Sequence, residues 1–487
     1  MTIRAAVLSD LHYAASPNPA IPKRRGELSA VLLLRAVHRL NRYHKPDIVL
    51  VTGDLINDPD TPDAVKLSEE LRDILALLKM PYLVIPGNHD LPPDDFYRIF
   101  PRPERFTDIG NVRFVSFCDD PETPGYNAVR PPENLAVMRE ARTGWQGRLV
   151  SVQHVPVMPP QSIPYNYDNA DTLLRIFHEC GYSASVSGHF HDGPAPLVHE
   201  HTTLVTAAAM CETPFPYDLL EIDDSGKVFF KRETLALNPA LKLKDRHIHT
   251  PFAYCNENMS IPMASALAEA LGLAEAVISE HSAHLYFDQS SYRAQEYYYK
   301  GLPGQTLRRV DDYFAMYDEL ARPNNVLSME IDFDQWGNPL INRAAWDRLQ
   351  FRNGAIHILG AIRPGATYEQ VRDNFMFQAE SILKSGVDAL VHPFRIFWFN
   401  GVERVPKPEE LYQTLARMLK QYGVAAEINY HINEPEPEFF RACLENGVKL
   451  TLGSDSHNLY EVGEFYPHLK LLEEIAPGAV NDPDIFA

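Results

Sequence analysis

Cysteine is scarce in this chain. Its five copies, at 118, 180, 211, 255 and 443, are odd in number and form no CxxC pair. That suits reduced thiols in a cytoplasm better than a disulfide framework. Long apolar runs are missing as well. The opening "MTIRAAVLSD" enters a short strand without an apolar signal core, and no segment approaches the length of a membrane span. Positive charge is in short supply: 45 Lys and Arg stand against 65 Asp and Glu, a formal net charge of −20. Long nucleic acid is held by basic surface through counterion release, so this balance disfavours it while leaving room for a local pocket around one phosphate. Internal repeats and low-complexity segments are absent. With 45% hydrophobic and 23% charged residues, the expectation is a soluble, cytoplasmic globular protein.

What is present is length and histidine. A chain of 487 residues exceeds one ordinary core, so two domains of about 200–250 residues each are expected. A turn signal at Asp224–Gly226 and a polar stretch containing Pro239 put the boundary near residue 240, giving domains 1–240 and 241–487. In the first half, short apolar runs each close on a polar residue: "AAVLSDLH", "DIVLVTGD", "YLVIPGNHD", "RLVSVQH", "SASVSGHFH". Helical patterns such as "SAVLLLRAVHRLNRY" and "VKLSEELRDILALLKM" intervene. Strands alternating with helices predict a layered α/β sandwich, with ligands gathered beyond the carboxyl ends of the strands.

Those ends carry Asp10, His12, Asp54, Asn88, His89, His154, His189 and His191. Carboxylate, imidazole and amide together suit manganese, iron or zinc, and one Asp between two ions can bridge them at about 3.5–4 Å. The ordered set "DLH", "GDL", "GNHD", a lone His and "GHFH" resembles the calcineurin-like metallophosphoesterases. The resemblance implies one metal on Asp10, His12 and His191, a second on Asn88, His154 and His189, and Asp54 as the bridge. It makes His89 the catalytic proton donor near the leaving oxygen, or an electrostatic stabiliser. The proline-rich loop "PPQSIPYNY" (159–167) is expected to wall this site.

The pattern then restarts. "EAVISEH", "NVLSMEIDF", "AIHILGAI", "DALVHPF", "VAAEINYH" and "VKLTLGSDSH" each end on a potential ligand, which predicts a closed or partly closed α/β barrel with its chemistry on one rim. Residues 243–487 resemble the PHP (polymerase and histidinol phosphatase) phosphoesterases, which have a distorted (β/α) barrel and commonly three metals. The resemblance places His247, His249, Glu330 and Asp455 on one metal. It gives His357 and His392, with Glu330 bridging, to a second, and His281 and His457 to a third. Where the family has a further His or Asp, this chain has Cys255, with Glu257 two residues on. Both stay open, and Glu257 is favoured because a carboxylate keeps the cluster hard. Glu280 and Glu427 are candidates to orient imidazoles. Arg395, three residues past His392, is a candidate grip on substrate phosphate.

Together these features predict a bifunctional metal-dependent phosphoesterase. It would hold two ions (Mn, Fe or Zn) in the first half and two or three in the second. The first domain would open a phosphodiester or cyclic phosphate and the second would remove a phosphomonoester. The partner expected is a small phosphorylated substrate, such as a nucleotide or cyclic phosphate. Alternatives are a nuclease or nucleic-acid end-processing repair enzyme, and a chain in which one domain is a scaffold or sensor.

Overall fold

The computed structural model describes residues 2–302, 308–397 and 406–487. The chain forms two compact units, Met1–Ala236 and Leu237–Ala487. Among the described residues, no helix is long and apolar enough to cross a membrane. All five cysteines are free.

In the first unit two mixed sheets face each other. One has the order Val228–Thr234, Pro216–Ile222, Ile3–Leu8, Ile48–Val51, Tyr82–Val84, with the last three strands parallel. The other runs Leu197–His199, Thr202–Thr206, Tyr182–Ser187, Arg148–Val152, Val112–Ser116, Phe106–Ile109, with four parallel strands at its centre. Alternation decides which residues meet. Ile3, Ala5 and Val7 of the first strand join Leu50, Phe114, Val152 and Val186 in one core between the sheets. Ala6 and Leu8, just as buried, turn to the opposite face. The outer face of the second sheet is covered by helices Pro132–Glu140 and Ala170–Cys180, whose Val137, Met138, Leu173 and Phe177 pack with Leu149, Tyr182 and Leu204.

The parallel strands do the positioning. Asp10, Asp54, Asn88, His154 and His189 each follow a strand end by no more than four residues. Past the first strand the backbone pairing continues briefly, with the Asp10 N–H bonding the Gly53 carbonyl and the His12 N–H the Asp54 carbonyl, which holds the two loops side by side.

The second unit is a closed barrel of seven parallel strands: Lys244–Ile248, Glu275–His281, Asn325–Ile331, Phe351–Gly354, Ala389–Leu390, Ala425–Asn429 and Leu450–Gly453. Pairing of Asp245 with Leu452 closes the ring. The interior changes character along the barrel axis. Val277, Phe351, Ala389 and Ala425 form an apolar floor. One strand repeat higher, Ser279 is linked to Ser328 and Asn353 by hydrogen bonds of 3.4 and 3.1 Å. The next repeat brings His281 and Glu330, which pair across adjacent strands, to the rim.

Two strands are shorter than the sequence pattern suggests. "AIHIL" reads as a strand ending on His357, yet the strand stops at Gly354, where its partner ladder ends at Ile331. "DALVHPF" contributes only Ala389–Leu390. In both places the loop, rather than the strand, delivers the imidazole.

Phe114 is fully buried between the two sheets. Phe114→Ala should destabilise the first unit by about 3–5 kcal/mol, whereas Phe229→Ala, on an exposed edge strand, should cost under about 0.5 kcal/mol. Denaturant midpoints of the two variants against wild type check this.

Candidate metal centres

In the first unit, Asp54 sits at the centre. Its Oδ2 lies 3.6 Å from His12 Nε2 and 3.4 Å from His154 Nε2. On one side, His12 Nε2 faces His191 Nε2 at 3.0 Å, and Asp10 Oδ1 is 3.6 Å from His191 Nε2. On the other side, His154 Nε2 is 3.1 Å from both Asn88 Oδ1 and His189 Nδ1. Asp10, His12 and His191 thus form one group whose ligand atoms lie within 4.8 Å of one another, and Asp54, His154 and His189 form another.

Hydrogen bonds on the far side of each ring set which nitrogen faces inward. His154 Nδ1 donates to the Thr52 carbonyl at 2.7 Å, leaving Nε2 as the inward atom. His189 Nε2 donates to the Tyr126 carbonyl at 2.9 Å, leaving Nδ1 inward. His191 Nδ1 meets Glu212 Oε1 at 2.6 Å. This is the outer support that metal-ligating histidines ordinarily have. His89 donates from Nδ1 to the Asn57 carbonyl at 2.7 Å, and its backbone N–H bonds Asp54 Oδ1 at 2.8 Å.

Local backbone shape follows from the demand for convergence. Asp10, His12, Asp54, His189, His392 and Asp455 all have left-handed φ, between 31° and 68°. Non-glycine residues avoid that region, so these positions store strain that surrounding contacts must hold. At Gly188 an added Cβ would lie 1.8 Å from Ser9 Oγ and 2.6 Å from Asp10 Oδ2. No other residue fits there.

In the second unit Glu330 is the hub. Its Oε1 lies 2.6 Å from His392 Nε2 and 3.0 Å from His357 Nε2. Its Oε2 lies 2.6 Å from His281 Nδ1, 3.4 Å from His247 Nε2 and 3.6 Å from His249 Nε2. Asp455 Oδ1 is 2.8 Å from His249 Nε2 and 3.7 Å from His247 Nε2. His249, His281 and His457 form a further group within 4.8 Å. Glu427 receives His247 Nδ1 at 2.9 Å, and Asp332 receives His357 Nδ1 at 2.6 Å.

The donors fit divalent ions. His247 Nε2 is fully buried, makes no hydrogen bond of good geometry and faces Glu330 Oε2 at 3.4 Å. Buried polar atoms in that condition are costly unless a cation completes them. Burial alone would raise the Asp54 and Glu330 carboxyls, yet the neighbouring imidazoles hold both well below the usual range. The same charges act on the histidines. Burial opposes protonation of His154, but Asp54 outweighs it and raises the ring to about 9.

Two sequence expectations need correction. Glu257 bonds the His457 carbonyl through its backbone N–H at 3.0 Å, but its side chain is held elsewhere. It is exposed, and its Oε2 accepts from Asn458 Nδ2 at 2.7 Å. The turn at Thr250–Asn256 brings Cys255, itself exposed, to the cluster instead, with Sγ 3.8 Å from His281 Nε2 in a group with His284. Arg395 is not a free phosphate grip. It is buried, its Nη2 is bound to Asp455 Oδ2 and Asn429 Oδ1, and its Nε points at Asn433 Oδ1. A guanidinium so engaged supports the carboxylate ligand rather than a substrate.

Several participants escape the sequence reading. Asp90 accepts from the backbone N–H groups of Leu55, Ile56 and Gly87, tying the GDL and GNHD loops together. Its place inside GNHD was the available signal. Asp332, two residues after Glu330, shares that strand's facing direction. Glu212 lies in no motif. Of the remaining histidines, His44 bonds the Tyr217 hydroxyl and His178 pairs with Glu200.

Residues 3–193, within the first unit, are similar to the family model described as calcineurin-like phosphoesterase. The His and Asp groups of that unit are of the kind that could hold a metal ion. A curated protein of Acetivibrio thermocellus named "Probable phosphatase" is 35% identical over 96 residues, which is 18% of this chain and 36% of that protein. An uncharacterized protein of Schizosaccharomyces pombe is 34% identical over 94 residues, 18% of each. The chain therefore spans about a third of the first relative and under a fifth of the second. Among solved structures, the GAP50 anchor of the Plasmodium inner membrane complex aligns with a TM-score of 0.34 at 10% identity, covering 48% of this chain and 84% of that one.

Divalent ions should displace protons here. Without metal, carboxylate charges outweigh burial and hold His154 and His249 at about 9 and His357 at about 10. Those rings are protonated at neutral pH and must shed the proton to accept an ion, so affinity rises with pH up to that range. Titration calorimetry of the metal-free chain in two buffers of different ionisation heat should show proton release. Equal heats in both buffers would contradict it.

Proposed function

We propose that the chain is a metal-dependent phosphoester hydrolase with two active units. The first, residues 1–240, hydrolyses a phosphodiester or cyclic phosphate. The second, residues 241–487, is a PHP-type phosphoesterase that removes the phosphomonoester left behind. The observation that carries this reading is a buried carboxylate shared between imidazole groups in each unit. Asp54 lies between His12 and His154, and Glu330 lies among five histidines. The match of residues 3–193 to the calcineurin-like family and the partial likeness to a "Probable phosphatase" support the same chemistry.

In the first unit, one ion falls to Asp10, His12 and His191 and a second to Asn88, His154 and His189, with Asp54 shared. In the second unit, His247, His249, Glu330 and Asp455 hold one ion and His357 and His392 another. His281 and His457 serve a third, with Cys255 in the place expected for Glu257. Manganese, iron or zinc in these places supplies Lewis acidity and lowers the pKa of water. The protein does the rest. The rings are pinned by their outer hydrogen bonds, so no reorganisation is needed when charge develops on phosphorus. His89 donates Nδ1–H to the Asn57 carbonyl, so it would pass a proton from Nε2 to the leaving oxygen as the imidazolium, with both nitrogens protonated. The substrate is a small phosphorylated compound, consistent with the chain's acidic balance.

The division of labour is tested with bis(p-nitrophenyl) phosphate and p-nitrophenyl phosphate. Asp54→Ala should lose diester hydrolysis by at least about a hundredfold and keep monoester hydrolysis. Glu330→Ala should do the reverse. If one variant abolishes both activities and the other spares both, the assignment of one reaction to each unit is wrong.

A further inference from the structure

The pocket above the first site mixes aromatic and charged groups. Tyr126, Tyr165 and Phe190 line it together with Lys23, Arg24 and Asp192, and it reaches Asp54, Asn88, His89 and His191. The aromatic rings are arranged edge to face. Tyr165 is 6.3 Å from Tyr126, 5.9 Å from Phe190 and 5.1 Å from His189. Tyr126 is 57% exposed, so its ring is not spent on core packing. It is also held at a left-handed φ of 61°, and its carbonyl receives the His189 N–H. The backbone that presents this ring is therefore the backbone that pins a ligand. Arg24 Nε is buried without a hydrogen-bond partner among the described residues. Lys23 Nζ lies 3.1 Å from Glu212, the carboxylate that supports His191.

A phosphoryl group in this pocket would meet Arg24, while whatever is esterified to it would lie against three rings. We propose that the first unit selects phosphoesters whose alcohol carries a planar aromatic ring, seated against Tyr126, Tyr165 and Phe190, with Arg24 engaging the phosphate. This rests on the phosphoesterase reading and names the substrate class of the same site. A nucleoside and a simple aryl group share the required chemistry.

The test compares wild type, Tyr165→Ala and Tyr165→Phe on three diesters: a 2′,3′-cyclic nucleotide, bis(p-nitrophenyl) phosphate and glycerophosphocholine. Binding of AMP against glycerol 3-phosphate is read in parallel by calorimetry. Wild type should favour ring-bearing over aliphatic ligands in both kcat/KM and Kd. In Tyr165→Ala that preference should fall about tenfold, the ~1.4 kcal/mol expected of one stacked ring. Tyr165→Phe should retain it. A loss confined to the cyclic nucleotide identifies a nucleoside, and a loss on both ring-bearing diesters identifies any aryl group. A preference unchanged in Tyr165→Ala, or a wild type that favours the aliphatic ligands, overturns the proposal while leaving the hydrolase reading intact. No turnover of any diester overturns that reading instead.

Discussion

A carboxylate stripped of water tolerates its charge only when positive charge stands beside it. Asp54 and Glu330 are both in that position, almost fully buried and ringed by imidazoles. Much of the surrounding structure follows from keeping those two groups in place. The left-handed φ values at Asp10, His12, Asp54, His189, His392 and Asp455 bend the chain so that side chains from distant segments reach a common point. Gly188 exists because Ser9 and Asp10 leave no room for a Cβ, and Gly453 because Glu427 Oε1 would lie 1.9 Å from one.

The two units reach the same arrangement by different routes. In the first, strands from two facing sheets end at one edge, and their loops carry the ligands. In the second, a closed ring of strands brings the ligands to one rim above a floor that grades from apolar to hydroxyl to ionic. Both exploit the carboxyl ends of parallel strands, where backbone direction and loop freedom favour polar groups. Both also rely on outer partners to select the inward nitrogen of each histidine. Backbone carbonyls serve His154 and His189, and carboxylates serve His191, His247 and His357.

Legibility in the sequence tracked how local the determinant was. Short apolar runs closing on Asp or His mark strands and the residues just past them, because strand burial and loop chemistry are written side by side. The partners of those residues are another matter. Glu212 reaches His191 across 21 positions and Glu427 reaches His247 across 180, separations that no motif encodes. The choice between Cys255 and Glu257 depends on what one turn sets each side chain against: Cys255 Sγ meets His281, while Glu257 is held by Asn458. Arg395 looked like an anion grip because charge is visible in a sequence, whereas its commitment to Asp455 is not. His357 was expected at a strand end and sits beyond it, since strand length is set by the neighbouring ladder rather than by the strand's own residues.

The account turns on ions gathering around the two shared carboxylates, and anomalous diffraction from crystals grown with manganese reads that directly. Two peaks flanking Asp54, separated by about 3.5–4 Å, with a further set around Glu330, are the expected result. Density for ions only at exposed acidic side chains, with Asp54 and Glu330 bare, would contradict it.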